Sequence, residues 1–474
     1  MVISVGYFAD HVKEFVKLAY PERKIEFVEV SNYEGEGSSM GYSMLLAKDK
    51  LQCPFVIHTG DTIIRDNIPE PSCNWHGGAK GEENSVYKTF TVMGDEVKKL
   101  HDRGSLEADF LDIGISGISD YGDFWKVLER LYKRNSKNED LCECDVLSEM
   151  IDNGSIVKVK EFFEWFDTGR VGCLNKVRKA IPATIEVLDK DEESIFIFDK
   201  FVIKFFSDED FLKRRVARAK VLKGLVPKIE GYGKNFYRYK YVEGEVLSKL
   251  IDEGSFDDFL DWSRRFLWKK DNETSKVKFN EICNDFYLVK TRQRLIKFRQ
   301  MTAIEDGVDE INGIKTPPIE EMLKMIDRNW LCDGEQMTFH GDFILDNIVK
   351  TKKGYCLLDW RQDFGGLLKS GDMYYDLAKL NHNLTINHEI ILKELFVLER
   401  NNNKISCDIL RKEKLVQCQR RFEEFLRDNG FDIKKVRILT AIVWLNMCPL
   451  HTYSFNVFLY YFGKLNLWKA INQD

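Results

Sequence analysis

Three polar residues late in the chain have the types and the spacing that phosphoryl transfer needs. The run Phe339-His340-Gly341-Asp342-Phe343-Ile344-Leu345-Asp346-Asn347 puts an Asn five residues after an Asp, and Leu357-Leu358-Asp359-Trp360 brings a second Asp twelve residues later. One carboxylate can receive the proton of an acceptor hydroxyl, while an amide oxygen and a second carboxylate can hold Mg²⁺ against ATP phosphates. Apolar residues flank the set: Met337, Phe339, Ile344, Leu345, Ile348 and Val349, then Cys356, Leu357 and Leu358. Such flanks imply two short buried strands with polar residues at their ends, where a site can be held rigidly. Taken singly these residues would be ordinary turn formers. Their order on two apolar strands is what points to chemistry.

The motif resembles that of the aminoglycoside phosphotransferase and choline kinase-like family, HxDxxxxN followed by an apolar strand ending in Asp, over about the last 290 residues. The resemblance implies Asp342 as catalytic base, Asn347 and Asp359 as metal ligands, and His340 as a structural brace of the loop. Gly371-Asp372-Met373-Tyr374-Tyr375-Asp376-Leu377-Ala378 is similar to the family's GD…YDLA segment, which implies Asp376 as an anchor of the catalytic loop. It also implies ATP and Mg²⁺ as cofactors and a small-molecule hydroxyl as acceptor.

A nucleotide-binding lobe should precede such a centre. Ile185–Leu188, Ser194–Phe198 and Phe201–Phe206 read as an antiparallel meander broken by charged turns such as Asp189-Lys190-Asp191-Glu192. Lys204 sits inside the last strand. An ammonium there is costly unless it reaches an anion, and the kinase-like resemblance supplies the α/β-phosphates of ATP; an edge-strand Lys facing water is the plainer alternative. Residues 208–225 read as a helix, with Asp208, Glu209 and Asp210 in its first turn. The Glu that usually pairs with the strand Lys should fall near Arg218, and this helix is basic there; either another carboxylate such as Glu209 takes the role or the pair is absent. Phe236–Leu247 alternates as a strand and breaks at Glu243-Gly244, similar to the family's hinge, which implies adenine contacts at Tyr241, Val242 and Glu243.

The expected fold class is an α/β N-terminal domain followed by an α+β protein-kinase-like domain with a small β lobe and a large α lobe. The domains are residues 1–180, 184–246 (N-lobe and hinge) and 247–474 (C-lobe), with 247–330 and 377–474 largely helical. Trp330, Trp360, Tyr374, Tyr375, Trp444 and Tyr453 could form a cation–π box for a choline-like acceptor, but core filling is the simpler role for large aromatics. The chain is 44% hydrophobic and 31% charged with net charge −6, so no basic field recommends nucleic acid or an anionic membrane surface. No 18-residue apolar run and no basic leader occur, so neither a membrane span nor a secretory signal is expected. The 11 scattered cysteines read as free thiols of a reducing cytoplasm.

The first 180 residues have an α/β rhythm, with strands at Val2–Val5 and Ile25–Val30, a helix at Ser43–Leu51, and Phe55-Val56-Ile57-His58-Thr59-Gly60-Asp61 as a buried strand ending at an Asp. Val5-Gly6-Tyr7, the Gly37–Ser43 run, Gly60-Asp61, Asp112–Ile115 and Trp165-Phe166-Asp167-Thr168-Gly169 resemble landmarks of the sugar-phosphate and phosphocholine nucleotidyltransferase family. The resemblance implies an incomplete parallel-sheet sandwich in which Asp61 and Asp167 hold a catalytic metal. It departs at one point. The family's Gly-rich loop and following Lys, which grip the nucleoside triphosphate, have no counterpart before Val2, so weak or absent nucleotidyl transfer and a tendency to self-associate are expected.

These readings converge on an ATP-dependent kinase of a sugar, amino-alcohol or polyol, whose phosphorylated product is a precursor for nucleotide activation and surface polysaccharide. A bifunctional kinase and nucleotidyltransferase is the alternative, and a nucleotide-binding pseudokinase scaffold is a third. The acceptor cannot be read from the residues.

Overall fold

A computed structural model describes residues 1–81, 83, 85–181, 185–189 and 192–472. The turn expected at Asp189–Glu192 has its Lys190 and Asp191 outside these residues. The chain divides into two compact units, Met1–Glu186 and Val187–Asp474.

In the first unit Val2–Val5 pairs in parallel with Glu26–Glu29, in register from Val2 against Glu26. A six-stranded sheet runs in the order Phe55–His58, Phe110–Ile118, Trp75–Ala79, Lys158–Glu161, Glu96–His101, Thr89–Met93. Its pairings are antiparallel except between Trp75–Ala79 and Lys158–Glu161, which are parallel. The strand expected up to Asp61 ends at His58, and Thr62–Ile64 pairs instead with Trp165–Asp167. Helix Tyr121–Arg134 buries Phe124, Trp125, Val127 and Leu128, the one-sided spacing of an amphipathic helix, against Phe55 and the helix Glu143–Asp152. Asn74 ties this helix to the sheet: its side chain donates to Asp120 at 2.7 Å and accepts from the amides of Ser119 and Asp120.

The second unit has a small β lobe followed by a large α lobe. Its five-stranded sheet has the order Ile185–Asp189, Glu193–Phe198, Phe201–Phe206, Phe236–Lys240, Ile229–Tyr232. Helix Glu209–Val221 follows the middle strand, capped by Asp208, whose carboxylate accepts from the amides of Asp210 and Phe211. It stops at Val221, four residues before the expected end, because Gly224 adopts a positive φ of 88°. The chain then enters a three-stranded sheet of Glu245–Val246, Ile348–Thr351 and Gly354–Leu357. Gly244 makes that passage possible: its φ is 148°, and a Cβ there would lie 2.2 Å from the Lys350 carbonyl oxygen.

The α lobe packs Met373–Thr385, Glu413–Asp428, Ile433–Met447 and Phe455–Asn472 around one core. The expectation of a largely helical lobe needs one correction. A four-stranded sheet of Ile314–Thr316, Asp309–Ile311, Lys404–Ile409 and Phe396–Asn401 lies within it. Its hairpins turn at Asn312-Gly313 (φ 50° and 76°) and at Asn402 (φ 55°), residue types that tolerate the left-handed region tight hairpins require. Among the described residues, no helix is long and apolar enough to cross a membrane.

Candidate active site

Helix Met373–Thr385 organises the site by presenting Asp376, Lys379 and Asn383, spaced three and four residues apart, on one face. Asp376 is fully buried and accepts from the amides of His340 and Gly341, both at 2.7 Å, and from the Trp268 indole at 3.1 Å. Burial pushes its carboxyl up to about 6, against the pull of those donors. Asn383 accepts from the Leu345 amide at 2.9 Å, so the same face fixes both ends of the catalytic loop. Gly341 is required between them: its φ is 90°, and a Cβ would meet the Arg361 side chain at 2.5 Å.

His340 braces this loop against the next strand. Its Nε2 lies 2.7 Å from the Leu358 carbonyl, and its Nδ1 accepts from the Asp342 amide at 3.3 Å, which assigns the proton to Nε2. Burial lowers its pKa to about 4, so the ring is neutral at physiological pH. The Leu358 amide donates to the Asn347 carbonyl at 2.7 Å and the Arg361 amide to the His340 carbonyl at 2.9 Å. The loop and the strand ending at Asp359 are thereby cross-linked on both sides.

Asp342 points into a cavity of about 440 Å³. The recess itself disfavours the charged form, but Lys379 Nζ sits 2.8 Å from Oδ1 and, helped by His340 and Asn347, holds the carboxyl well below the usual carboxylate range. Asn347 donates Nδ2 to the Asp342 carbonyl at 3.0 Å and to its Oδ2 at 2.9 Å. That orientation leaves Asn347 Oδ1 without a donor among the described residues. Asp359 adopts φ 54°, a left-handed conformation that a non-glycine residue holds only under constraint from its surroundings. Two hard oxygens, one neutral and one anionic, suit Mg²⁺.

Lys204, 2% exposed, contacts Asp359 Oδ1, with Glu193 Oε1 at 3.7 Å. The expectation about its carboxylate partner is corrected here: Glu209 pairs with Lys213 at 3.7 Å, and Glu193 of the neighbouring strand faces Lys204. The helix supplies cations where a Glu was expected. Arg215 Nη1 lies 3.9 Å from Glu193 and 3.8 Å from Asp359, and Arg218 stacks 4.0 Å over the Phe339 ring while donating to the Phe339 carbonyl. Of the three residues expected at the hinge, Tyr241 gives its amide to the Lys200 carbonyl at 2.9 Å.

Sequence reasoning missed Lys379, Glu193 and Arg215. Lys379 carried a legible signal, since a Lys one turn after Asp376 in an otherwise apolar helix needs an anion. Of the six aromatics considered for a cation–π box, only Tyr375 lines the cavity. Trp360 donates to the Arg215 carbonyl, Trp444 to His382 and Trp330 to Asp432. Tyr374 hydroxyl accepts from the Asp432 amide, and Tyr453 is 82% exposed.

In the first unit Asp61 and Asp167 do come together. A Cβ on Gly169 would lie 3.0 Å from Asp61 Oδ2 and 3.3 Å from Asp167 Oδ1. Asp167 is heavily engaged, however: Oδ1 accepts from the Gly169 amide at 2.8 Å, and Oδ2 accepts from Tyr87 hydroxyl at 2.7 Å and Arg170 Nε at 3.0 Å. A guanidinium on the same oxygen opposes a dication, so this pair does not fit the expected metal as it stands. Val5-Gly6-Tyr7 and Ser38, Ser39 and Ser43 line one cavity of about 510 Å³, so two of the quoted motifs meet in space.

No protein-family model matches the chain, and no curated protein sequence matches it. Solved structures similar to it include nucleotidyltransferases and small-molecule kinases. The inositol-1-phosphate CTP transferase of T. maritima is 19% identical and aligns over 38% of this chain and 77% of its own, with a TM-score of 0.29. The CTP:phosphocholine cytidylyltransferase of Streptococcus pneumoniae is 16% identical over 38% and 78%, with a TM-score of 0.33. The choline kinase of Cryptosporidium parvum is 12% identical over 63% and 93%, with a TM-score of 0.35.

Proposed function

We propose that the second unit transfers the γ-phosphoryl group of ATP to a hydroxyl of a small molecule. The observation that carries this reading is the Asp342 carboxylate, ionised, clamped by Asn347 and Lys379, and facing a cavity large enough for a small acceptor. Asp342 orients the acceptor hydroxyl and takes its proton as the hydroxyl oxygen bonds to the γ-phosphorus. The bond from that phosphorus to the β,γ-bridging oxygen breaks, and its electron pair leaves with ADP. Because Lys379 keeps Asp342 a weak base, proton transfer comes late, and positioning supplies most of the effect. Lys204 releases Asp359 and turns to the α/β-phosphates, while Glu193, which faces both Lys204 and Arg215, offsets their charge. Asn347 Oδ1 and Asp359 would hold Mg²⁺, which neutralises charge on the transferring group when bound. Val242 and Glu243 offer backbone groups to the adenine edge.

Asp342→Asn tests the reading. It keeps the Asn347 contact and the shape of the site, so ATP binding and the melting temperature should stay near wild type. Turnover should fall by about 10²–10⁴-fold with loss of the base. Wild-type turnover in this variant would overturn the assigned role.

A second reading gives Met1–Glu186 nucleotidyl transfer to the phosphorylated product, as a step toward an activated precursor of surface polysaccharide. The meeting of Asp61 and Asp167 around Gly169 favours it, and the Arg170 guanidinium on Asp167 weighs against it. Release of pyrophosphate from CTP, GTP or UTP, dependent on that product, would distinguish the two.

A further inference from the structure

The cavity beside Asp342 has a charge pattern that narrows the acceptor, given the phosphotransfer reading on which this inference rests. Five cations line it, Arg215, Lys290, Arg294, Arg361 and Lys379, against a single carboxylate, Asp342. Lys379 is engaged by that carboxylate. Arg215 is 7% exposed and reaches Glu193 and Asp359 at 3.9 and 3.8 Å, so it too has counter-ions, although its Nε and Nη1 have no hydrogen-bond partner among the described residues. Among the described residues Lys290, Arg294 and Arg361 form no ion pair, although Arg292 and Arg299 of the same helix reach Glu320 and Glu305 at 2.9 and 2.8 Å. The Arg361 Nε donates only to the Asp363 carbonyl.

These charges are aimed, not scattered. The helix Lys276–Asn284 passes through a π-helical turn at Asp285–Val289 before Lys290–Thr302, a local widening that recurs at functional sites. The turn puts Phe286 on the cavity wall, and that one ring carries Lys290 at 4.3 Å and Arg361 at 5.0 Å. Burial, then Arg361, Arg294 and Lys379, lower the Lys290 pKa to about 7, with Asp363 opposing them; Arg215 and Asp342 complete the charged lining. Opposite, Asn446 donates to Thr291 Oγ1 at 2.7 Å and to the Ile442 carbonyl at 2.9 Å, while its buried Oδ1 has no donor among the described residues. Like charges gathered in a recess without counter-ions are unfavourable, and an anion relieves them. Lys204, Asn347, Asp359 and the hinge residues do not line this cavity, so Lys290, Arg294 and Arg361 lie on the acceptor side of Asp342, while Arg215 reaches back to Asp359.

We propose that the acceptor is an anionic alcohol, a small hydroxylated molecule already carrying a phosphate or a carboxylate. Lys290, Arg294 and Arg361 hold the anion, Asn446 Oδ1 accepts from a hydroxyl, and a further hydroxyl faces Asp342. A cationic acceptor of the choline or ethanolamine kind meets repulsion here, since the one lining carboxylate is already paired.

Matched acceptors test this: glycerol, glycerate and glycerol 3-phosphate; glucose, gluconate and glucose 6-phosphate; and choline and ethanolamine, each with Mg²⁺ and ATP, read by mass gain. The acidic members should be used with kcat/KM about 100-fold or more above the neutral and cationic ones, and the carboxylate and phosphate members identify which anion is held. In Lys290→Met/Arg294→Met, KM for the acidic acceptor should rise about tenfold or more at unchanged ATP affinity. Thermal melts establish that the variant is folded, and the two single variants stand in if it is not. If neutral or cationic acceptors are preferred and Asp342→Asn abolishes their use, the kinase stands and the anionic assignment falls. If nothing is phosphorylated, calorimetry decides. Glycerate and glycerol 3-phosphate should bind the wild type saturated with Mg²⁺ and a non-hydrolysable ATP analogue, and fail to bind the double variant. No binding, or equal binding to both proteins, overturns the inference. A wild type that binds no ATP removes the phosphotransfer reading and this inference with it.

Discussion

Lys379 sets the character of Asp342. A carboxylate at the bottom of a recess tends to hold its proton; an ammonium 2.8 Å away reverses that tendency and keeps it ionised. On the proposed phosphotransfer reading, Asp342 is a base that is always available and never strong, which suits a reaction whose hydroxyl gives up its proton late. Lys290 has the opposite history. Burial and the cations around it outweigh Asp363 and lower its pKa to about 7, so it is charged below that pH and neutral above it. A held anion needs the charge. For a carboxylate acceptor, whose own ionisation is complete above pH ~6, KM should therefore rise as pH passes upward through ~7. Lys290→Arg, which stays charged throughout, should flatten that rise in a KM-against-pH profile.

The helix Met373–Thr385 is the element that makes a loop into a site. Its buried face spans the catalytic loop with Asp376 on His340 and Gly341, Lys379 on Asp342 and Asn383 on Leu345. Asp376→Asn places an NH₂ among donors and loses charge-assisted bonds to two loop amides. It should cost about 2–3 kcal/mol in unfolding free energy. Because Asp342 moves with the loop, kcat should fall by about 10²-fold, the scale expected of a misplacement near 1 Å. Denaturant melts and steady-state kinetics on one preparation check both. The helix Glu209–Val221 acts differently: it replaces the expected acidic partner with Arg215 and Arg218, one beside Asp359 and one beneath Phe339. Lys204 takes its carboxylate from Glu193 on the adjacent strand.

Each unit has a hydrophobic core of its own. Phe55, Phe90, Phe124, Trp125 and Leu147 belong to the first, and Phe256, Phe339, Leu377, Leu439 and Phe458 to the second. Phe124, with no exposed surface, meets Phe55 and Trp125 edge to face. Phe124→Ala should destabilise the first unit by about 3–5 kcal/mol, visible as a lowered melting transition. Phosphoryl transfer by the second unit, measured below that transition, should change by less than about twofold, as expected of residues that share no packing partners. Loss of activity in step with the melt would show that the two cores unfold together.

The grouping of the polar residues from His340 to Asp359 was legible because they are chain neighbours, and spacing along a chain nearly fixes spacing in space when the segments are two short strands and a loop. The strand Phe201–Phe206 and the cap at Asp208 were legible for the same reason, since alternation and capping are local. Asp376 was legible as a loop anchor only through a motif; nothing local said that it would accept from two backbone amides. Glu193 and the cations around Phe286 were not legible, since each acquires its role from a residue far along the chain, and Lys379 signalled only the need for an anion, not that Asp342 supplies it. Lys204 meets Asp359 across 155 positions, and Lys290 shares one ring with Arg361 only once helix and loop have packed. A sequence shows which charges a chain owns. Which of them end without a counter-ion, and therefore what charge a substrate must bring, is settled by packing.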